Sequence, residues 1–135
     1  ICNLRKIVIG RKNFMKKILF IEDEFELQRS VSDFLKKQGY AVVYALDGEI
    51  GLNLAQTEKP DLILLDIILP KKDGFEVLKS IKKEERTKNI PVIVLTNLEN
   101  PEDVEKILSL GATTYLVKSD HDLNDILDKI KQTIG

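Results

Sequence analysis

Tryptophan is absent from this chain of 135 residues, and cysteine, methionine and histidine occur once each. A single cysteine, Cys2, excludes an internal disulfide and any cysteine-cluster metal site, and a reducing cytoplasm suits such a chain. Three Tyr and five Phe are too few for an aromatic core, so the interior must be mostly aliphatic. No apolar run approaches the roughly 18 residues that cross a bilayer, and nothing resembles a signal peptide. Neither sign of charge dominates. Against 22 Asp+Glu stand 21 Lys+Arg, a formal net charge of -1 that gives no sign of a nucleic-acid or membrane partner. Repeats and low-complexity tracts are lacking too. What is present, 43% hydrophobic and 32% charged residues, is the make-up of an ordinary globular protein with the length of one domain.

The charge is unevenly spread. Residues 1–14 hold Arg5, Lys6, Arg11 and Lys12 and no acid, so all 22 acids lie from Met15 onward. Met15-Lys16-Lys17 before an apolar run looks like a natural chain start. Residues 1–14 are expected to be a basic leader or appendage, disordered or derived from upstream or cloning sequence, and residues 15–135 the functional domain.

From Lys16 two periodicities alternate. Short apolar runs without polar alternation occur at Ile18-Leu19-Phe20-Ile21, Ala41-Val42-Val43-Tyr44, Leu62-Ile63-Leu64-Leu65, Val92-Ile93-Val94-Leu95 and Tyr115-Leu116-Val117. Such runs predict strands buried on both faces of a parallel sheet. Between them Leu27, Val31, Phe34 and Leu35, and again Leu123, Ile126, Leu127 and Ile130, follow helical spacing. Gly39 and Gly111 mark helix ends, and Asn100-Pro101-Glu102-Asp103 marks a start. Glu102, Asp103 and Glu105 read as solvated first-turn acids, and His121 as a surface residue. The pattern predicts an α/β fold, a doubly wound (βα)5 sandwich on a five-stranded parallel sheet.

Ligands of such folds gather beyond the carboxyl ends of the strands. The polar residues at those ends are Glu22-Asp23-Glu24, Asp66, Thr96 and Lys118. Crowded carboxylates repel one another until a cation intervenes. An all-oxygen site with open positions suits Mg²⁺, and the lack of His or Cys argues against zinc. An ionised Asp beside Mg²⁺ can attack phosphorus and form an acyl phosphate without a general base. Asp66 is the candidate nucleophile, with Lys118 neutralising phosphoryl oxygens and the Thr96 hydroxyl donating a hydrogen bond. Alone, each has a plainer explanation: a turn Asp, a strand Thr, a solvated Lys. Together on one rim they do not.

These residues resemble the receiver (REC) domain of bacterial two-component response regulators, the stand-alone chemotaxis type among them. The resemblance rests on Ile18-Leu19-Phe20-Ile21-Glu22-Asp23-Glu24, Asp61-Leu62-Ile63-Leu64-Leu65-Asp66-Ile67-Ile68-Leu69-Pro70 and Asp73-Gly74. It continues through Ile90-Pro91-Val92-Ile93-Val94-Leu95-Thr96 and Gly111-Ala112-Thr113-Thr114-Tyr115-Leu116-Val117-Lys118, so it covers about residues 16–130. It implies a flavodoxin-like fold with strand order 2-1-3-4-5. Asp66 would take a phosphoryl group from a sensor histidine kinase or phosphotransfer protein. Asp23, Asp66 and the Ile68 carbonyl would bind Mg²⁺ directly, and Glu22 mainly through water. Thr96 and Tyr115 would be a switch pair, altering the face of the fourth helix, fifth strand and fifth helix for an effector protein, an output domain or a second copy. The domain itself would bind neither nucleic acid nor membrane, would be cytoplasmic, and would catalyse only its own phosphorylation and dephosphorylation.

Several positions depart from the family pattern. Glu22 stands where Asp is commoner. Ser119 replaces a proline that usually follows a cis peptide after the lysine, which predicts a trans or a strained cis Lys118–Ser119 bond. Asn97 is larger than the usual small residue and is expected to shield the phosphoryl group in part. Ile68 and Leu98 flank the approach of a hydrolytic water without being able to orient it, which predicts a long-lived aspartyl phosphate. Two alternatives compete: a pseudo-receiver that binds proteins without being phosphorylated, and a Mg²⁺-dependent phosphohydrolase, which the apolar Ile68 disfavours. The sequence ends at Gly135, just past the last helix, as a single-domain regulator or a receiver within a longer protein would.

Overall fold

Runs of branched aliphatic residues three to five long bury well only when both faces of a sheet are covered, and this governs the architecture. The computed structural model describes residues 15–98, 100–120 and 122–135. Cys2, the four basic residues of the leader and His121 lie outside the described residues, as does the reading of residues 1–14 as an appendage. Strands β1 (Lys17–Ile21), β2 (Ala41–Ala45), β3 (Leu62–Leu65), β4 (Val92–Thr96) and β5 (Thr114–Val117) alternate with helices. The helices are α1 (Phe25–Lys37), α2 (Gly48–Thr57), α3 (Gly74–Lys83), α4 (Pro101–Ser109) and α5 (Leu123–Ile134), with a 3-10 turn at Lys118–Asp120 before the last.

All pairings are parallel and the order is β2-β1-β3-β4-β5. Side chains alternate across the sheet and define two cores. Leu19, Ile21, Ile63, Leu65, Val92 and Val94 face α2, α3 and α4 through Ala55, Val77, Leu78, Ile81 and Ile107. Ile18, Phe20, Leu62, Leu64, Ile93 and Leu95 face α1 and α5 through Val31, Leu35, Ile126, Leu127 and Ile130. The sheet is therefore doubly wound, as the sequence predicts, and the stripes read on α1 and α5 are the ones buried.

One expectation needs correcting. β1, β3 and β4 are buried along nearly their whole length, but β2 is mostly half-exposed and Tyr44 is 48% exposed. β2 and β5 are the sheet edges, where no further strand covers the flank, so their apolar runs are only partly covered.

Helix boundaries follow local chemistry. Gly39 takes φ 100° after α1, a left-handed conformation that glycine adopts without a side-chain clash. Asn100 caps α4 by accepting from Glu102 N–H at 2.8 Å, with Pro101 in the first turn. Asp122 and Asp125 cap each other's backbone at the start of α5. Gly74 opens α3 where a Cβ would lie 2.3 Å from the Ile67 backbone, so only glycine lets the loop after β3 fold onto that helix. That loop carries Asp66. Among the described residues no helix is long and apolar enough to cross a membrane.

Candidate functional site

The site forms where the neighbouring strands β1, β3, β4 and β5 end on one rim. Glu22 N–H continues the ladder by donating to Ala45 O at 2.9 Å, and Asp66 N–H does so by donating to Ile21 O at 3.0 Å. The backbone thus fixes both carboxylates one residue past the strands. Glu22 is fully buried, Asp66 nearly so, and Asp23 beside them is exposed.

Lys118 reaches this rim from the end of β5. Its Nζ lies 2.7 Å from Glu22 Oε1 and 3.0 Å from Asp66 Oδ2. Asp66 Oδ1 also accepts from Ile68 N–H at 3.3 Å, and Glu22 Oε2 accepts from Glu24 N–H at 3.0 Å. Glu22 Oε1 is paired with the Lys118 ammonium. Burial raises the Glu22 carboxyl above its ordinary pKa, and the neighbouring Asp66 charge adds to this; the Lys118 and Glu24 donors only partly offset it. For Lys118 burial acts downward, but the bond to Glu22 and the charges of Asp66 and Glu22 outweigh it and hold the ammonium above its ordinary pKa.

Glu22, Asp23 and Asp66 can each present one carboxylate oxygen within 4.8 Å of the others. Ligands of an octahedral Mg²⁺ at about 2.0–2.1 Å from the ion stand about 3 to 4 Å apart, so a small closure of these oxygens would surround one ion. Three carboxylates against one ammonium leave two negative charges when all are ionised, which a dication balances. The residues fit Mg²⁺.

Thr96 ends β4 fully buried, with its hydroxyl oxygen 3.4 Å from Leu98 N–H. Register pairs Val94 with Tyr115 and Thr96 with Val117. Thr96 and the half-buried Tyr115 therefore sit diagonally on one face of the sheet, at neighbouring strands. Ile68 is 59% exposed and, with Leu98, Phe75 and Asp103, lines a hollow of about 420 Å³. The Lys118–Ser119 peptide is trans, the first of the two forms expected. The side-chain oxygen of Asn97 accepts from Ser119 N–H at 3.1 Å. That bond joins loops 22 residues apart, so sequence spacing held no signal for it beyond the unusual size of Asn97 and the missing proline.

Comparison with known proteins agrees with this architecture. The response regulator receiver domain family matches residues 18–131, and the chain belongs to that family. It is 40% identical over 117 residues to the DNA-binding dual master transcriptional regulator RpaA of Synechocystis, covering 87% of this chain and 48% of RpaA. Chemotaxis protein CheY4 of Vibrio cholerae superposes with a TM-score of 0.83 at 31% identity, over 89% of this chain and 99% of CheY4. The BeF3-activated receiver domain of Klebsiella pneumoniae RstA superposes with a TM-score of 0.81 at 30% identity, over 87% and 97% of the two chains. The chain spans less than half the length of the curated relatives it matches. This is a receiver domain of the two-component response regulators, with a flavodoxin-like fold.

Proposed function

We propose that Asp66 is the phosphoryl acceptor of this receiver. The observation that carries the reading is the placement of Asp66 Oδ2 3.0 Å from Lys118 Nζ, at a rim where Glu22 and Asp23 complete an acidic cluster. A carboxylate oxygen of Asp66 attacks the phosphorus of a phosphohistidine on a sensor kinase or phosphotransfer protein. The P–O bond forms, the P–N bond breaks, and the imidazole leaves with its electron pair and takes a proton from solvent. Lys118 moves its donor from the Asp66 carboxylate to a phosphoryl oxygen. Thr96 donates its hydroxyl proton to another. Mg²⁺, held by Asp23, Asp66 and the Ile68 carbonyl with Glu22 acting through water, would neutralise charge on the transferring group.

The Thr96 movement opens space beside Tyr115, whose ring turns inward and alters the face of α4, β5 and α5. That face then binds an effector protein, an output domain or a second copy. Residues 15–135 form the unit that does this, in the cytoplasm, and the chain's catalysis extends to its own phosphorylation and dephosphorylation. An output segment that binds DNA, as the name of RpaA states for that regulator, is consistent with the share of the relatives' length that this chain spans.

The test is intact mass after incubation with Mg²⁺ and a small acyl phosphate. A stoichiometric phosphate adduct that Asp66→Asn abolishes is expected. No adduct would favour a protein-binding pseudo-receiver, a reading that Glu22 and the absence of proline at Ser119 support. Turnover without an adduct would favour a hydrolase.

A further inference from the structure

Two positions that depart from the family pattern, Asn97 and Ser119, meet in space. Asn97 follows the last residue of β4 and Ser119 follows the lysine of the rim, and a 3.1 Å hydrogen bond runs from Ser119 N–H to Asn97 Oδ1. A proline at position 119 has no N–H and could not donate it. The bond therefore exists only because both positions depart together: one supplies a donor and the other supplies its acceptor. The donor is a backbone amide, so the oxygen of the Asn97 amide must be the atom that faces it.

What the bond holds is a single tight turn. Lys118, Ser119 and Asp120 form a single 3-10 turn between β5 and α5. Such turns are tight, with poorer hydrogen-bond geometry than α-helix. From this turn the Lys118 side chain must reach 2.7 Å from Glu22 Oε1 and 3.0 Å from Asp66 Oδ2. Its four methylenes carry substantial rotamer freedom, and any drift of the backbone at position 118 carries the ammonium off one carboxylate or the other.

We infer that Asn97 is a positioning residue for Lys118, its side-chain carbonyl clamping the Ser119 backbone in place of a rigid proline. Asn97 is also the chain neighbour of Thr96, so the clamp ties the segment that carries the hydroxyl to the segment that carries the ammonium. Displacement of one draws on the other. Both residues are exposed, and water competes for the bond, which limits its strength. The inference rests on the reading of Asp66 as phosphoryl acceptor for its consequence, and on geometry alone for the clamp.

The test uses Asn97→Ala, Asn97→Asp, Ser119→Pro and the Asn97→Ala/Ser119→Pro double variant. With Mg²⁺ and a small acyl phosphate, Asn97→Ala is expected to lower the second-order rate of phosphoryl uptake about threefold to tenfold, the scale of one neutral hydrogen bond. In the Ser119→Pro background the same substitution is expected to change nothing, since the donor is already gone. Asn97→Asp keeps the acceptor and is expected to restore slow exchange of the Ser119 amide proton. In the unphosphorylated protein, NMR relaxation of the Lys118 side chain is expected to report greater mobility in Asn97→Ala. Equal Lys118 mobility and equal Ser119 exchange in wild type and Asn97→Ala would overturn the inference. An undiminished Asn97→Ala effect in the Ser119→Pro background would overturn it as well. If the wild type takes up no phosphoryl group, the acceptor reading fails, and the mobility and exchange measurements still decide the clamp.

Discussion

Two lysine–glutamate ion pairs stand at opposite rims of the same sheet. At the amino ends of the strands Lys17 Nζ lies 3.0 Å from Glu58 Oε1, with the side chains 35% and 38% exposed. At the carboxyl ends Lys118 Nζ lies 2.7 Å from Glu22 Oε1, with the side chains 15% and 0% exposed. The chemistry and the distances nearly match, but water does not reach the two pairs equally. Lys17 also donates to the Glu58 carbonyl, and its own backbone N–H donates to Asp61, so it fastens chain ends that solvent could serve almost as well. Lys118 separates two buried carboxylates that nothing else neutralises among the described residues. Removing an exposed pair returns two charges to water, whereas removing the buried lysine strands them. The first pair is upholstery for the fold. The second is a charge imbalance kept within the fold, and it is this imbalance that a cation and a phosphoryl group can use.

The sharpest way to break the comparison is to remove each lysine. Lys118→Met keeps the length of the stem and deletes the charge. We expect it to cost about 3 kcal/mol in urea denaturation at neutral pH without divalent cations, the scale for orphaning buried charge. Added Mg²⁺ should recover part of that loss. A cost below about 1 kcal/mol would place this pair in the same class as the surface one.

A second test concerns the apolar side of the carboxyl rim. Ile68 is the most exposed large aliphatic residue there, and it cannot hold a water for attack on an aspartyl phosphate. Ile68→Asn supplies an amide that can. Decay of the phosphorylated protein should quicken about tenfold, short of the 10² to 10⁴ that full acid–base catalysis contributes. Unfolding stability should barely move, since the side chain is already in water. Decay that is unchanged or slower would remove the idea that Ile68 prolongs the phosphorylated state.

Much of this was legible beforehand because it depends on sequence-local facts. Unbroken aliphatic runs such as Leu62-Ile63-Leu64-Leu65 can only be doubly buried, and strand ends in a parallel sheet converge on one rim whatever the loops do. Hence Glu22, Asp66 and Lys118 could be brought together on paper. Edge exposure of β2 was not legible, because Ala41-Val42-Val43-Tyr44 reads like an interior strand until strand order places it outermost. The Asn97–Ser119 bond was equally hidden. It depends on the relative height of two loops, which no periodicity encodes. The burial of Gln28 and its 2.8 Å bond to Ser32 within α1 escaped for a related reason: a polar pair at helical spacing looks like a solvated face.

The comparison also predicts a pH dependence at one rim. Folding raises the Glu22 carboxyl pKa, chiefly through burial, so the folded state favours the protonated form. The stability this provides is complete below the ordinary value of 4.5 and is lost as pH rises through the raised folded value. Glu22→Gln mimics the protonated state at every pH and removes that dependence. Without divalent cations, the wild type should therefore lose less stability than Glu22→Gln between pH 7 and 4.5, or gain some. Parallel denaturation curves for the two proteins across that interval would mean that water reaches Glu22 after all.

The smallest effect expected is at Lys17. Lys17→Met leaves the stem packed at the start of β1 and exposes Glu58 to solvent that already covers more than a third of it. The loss should stay below about 0.5 kcal/mol and shrink further in 0.5 M salt, as screening removes what attraction the pair has. A larger loss would not come from charge, because the freed carboxylate is hydrated. It would have to come from the bond between Lys17 Nζ and the Glu58 carbonyl, which ends α2 and sets the entry into β3. Lys17→Gln separates these causes: its neutral amide keeps a donor for the carbonyl without a charge, and should restore any part of the loss that the charge did not explain.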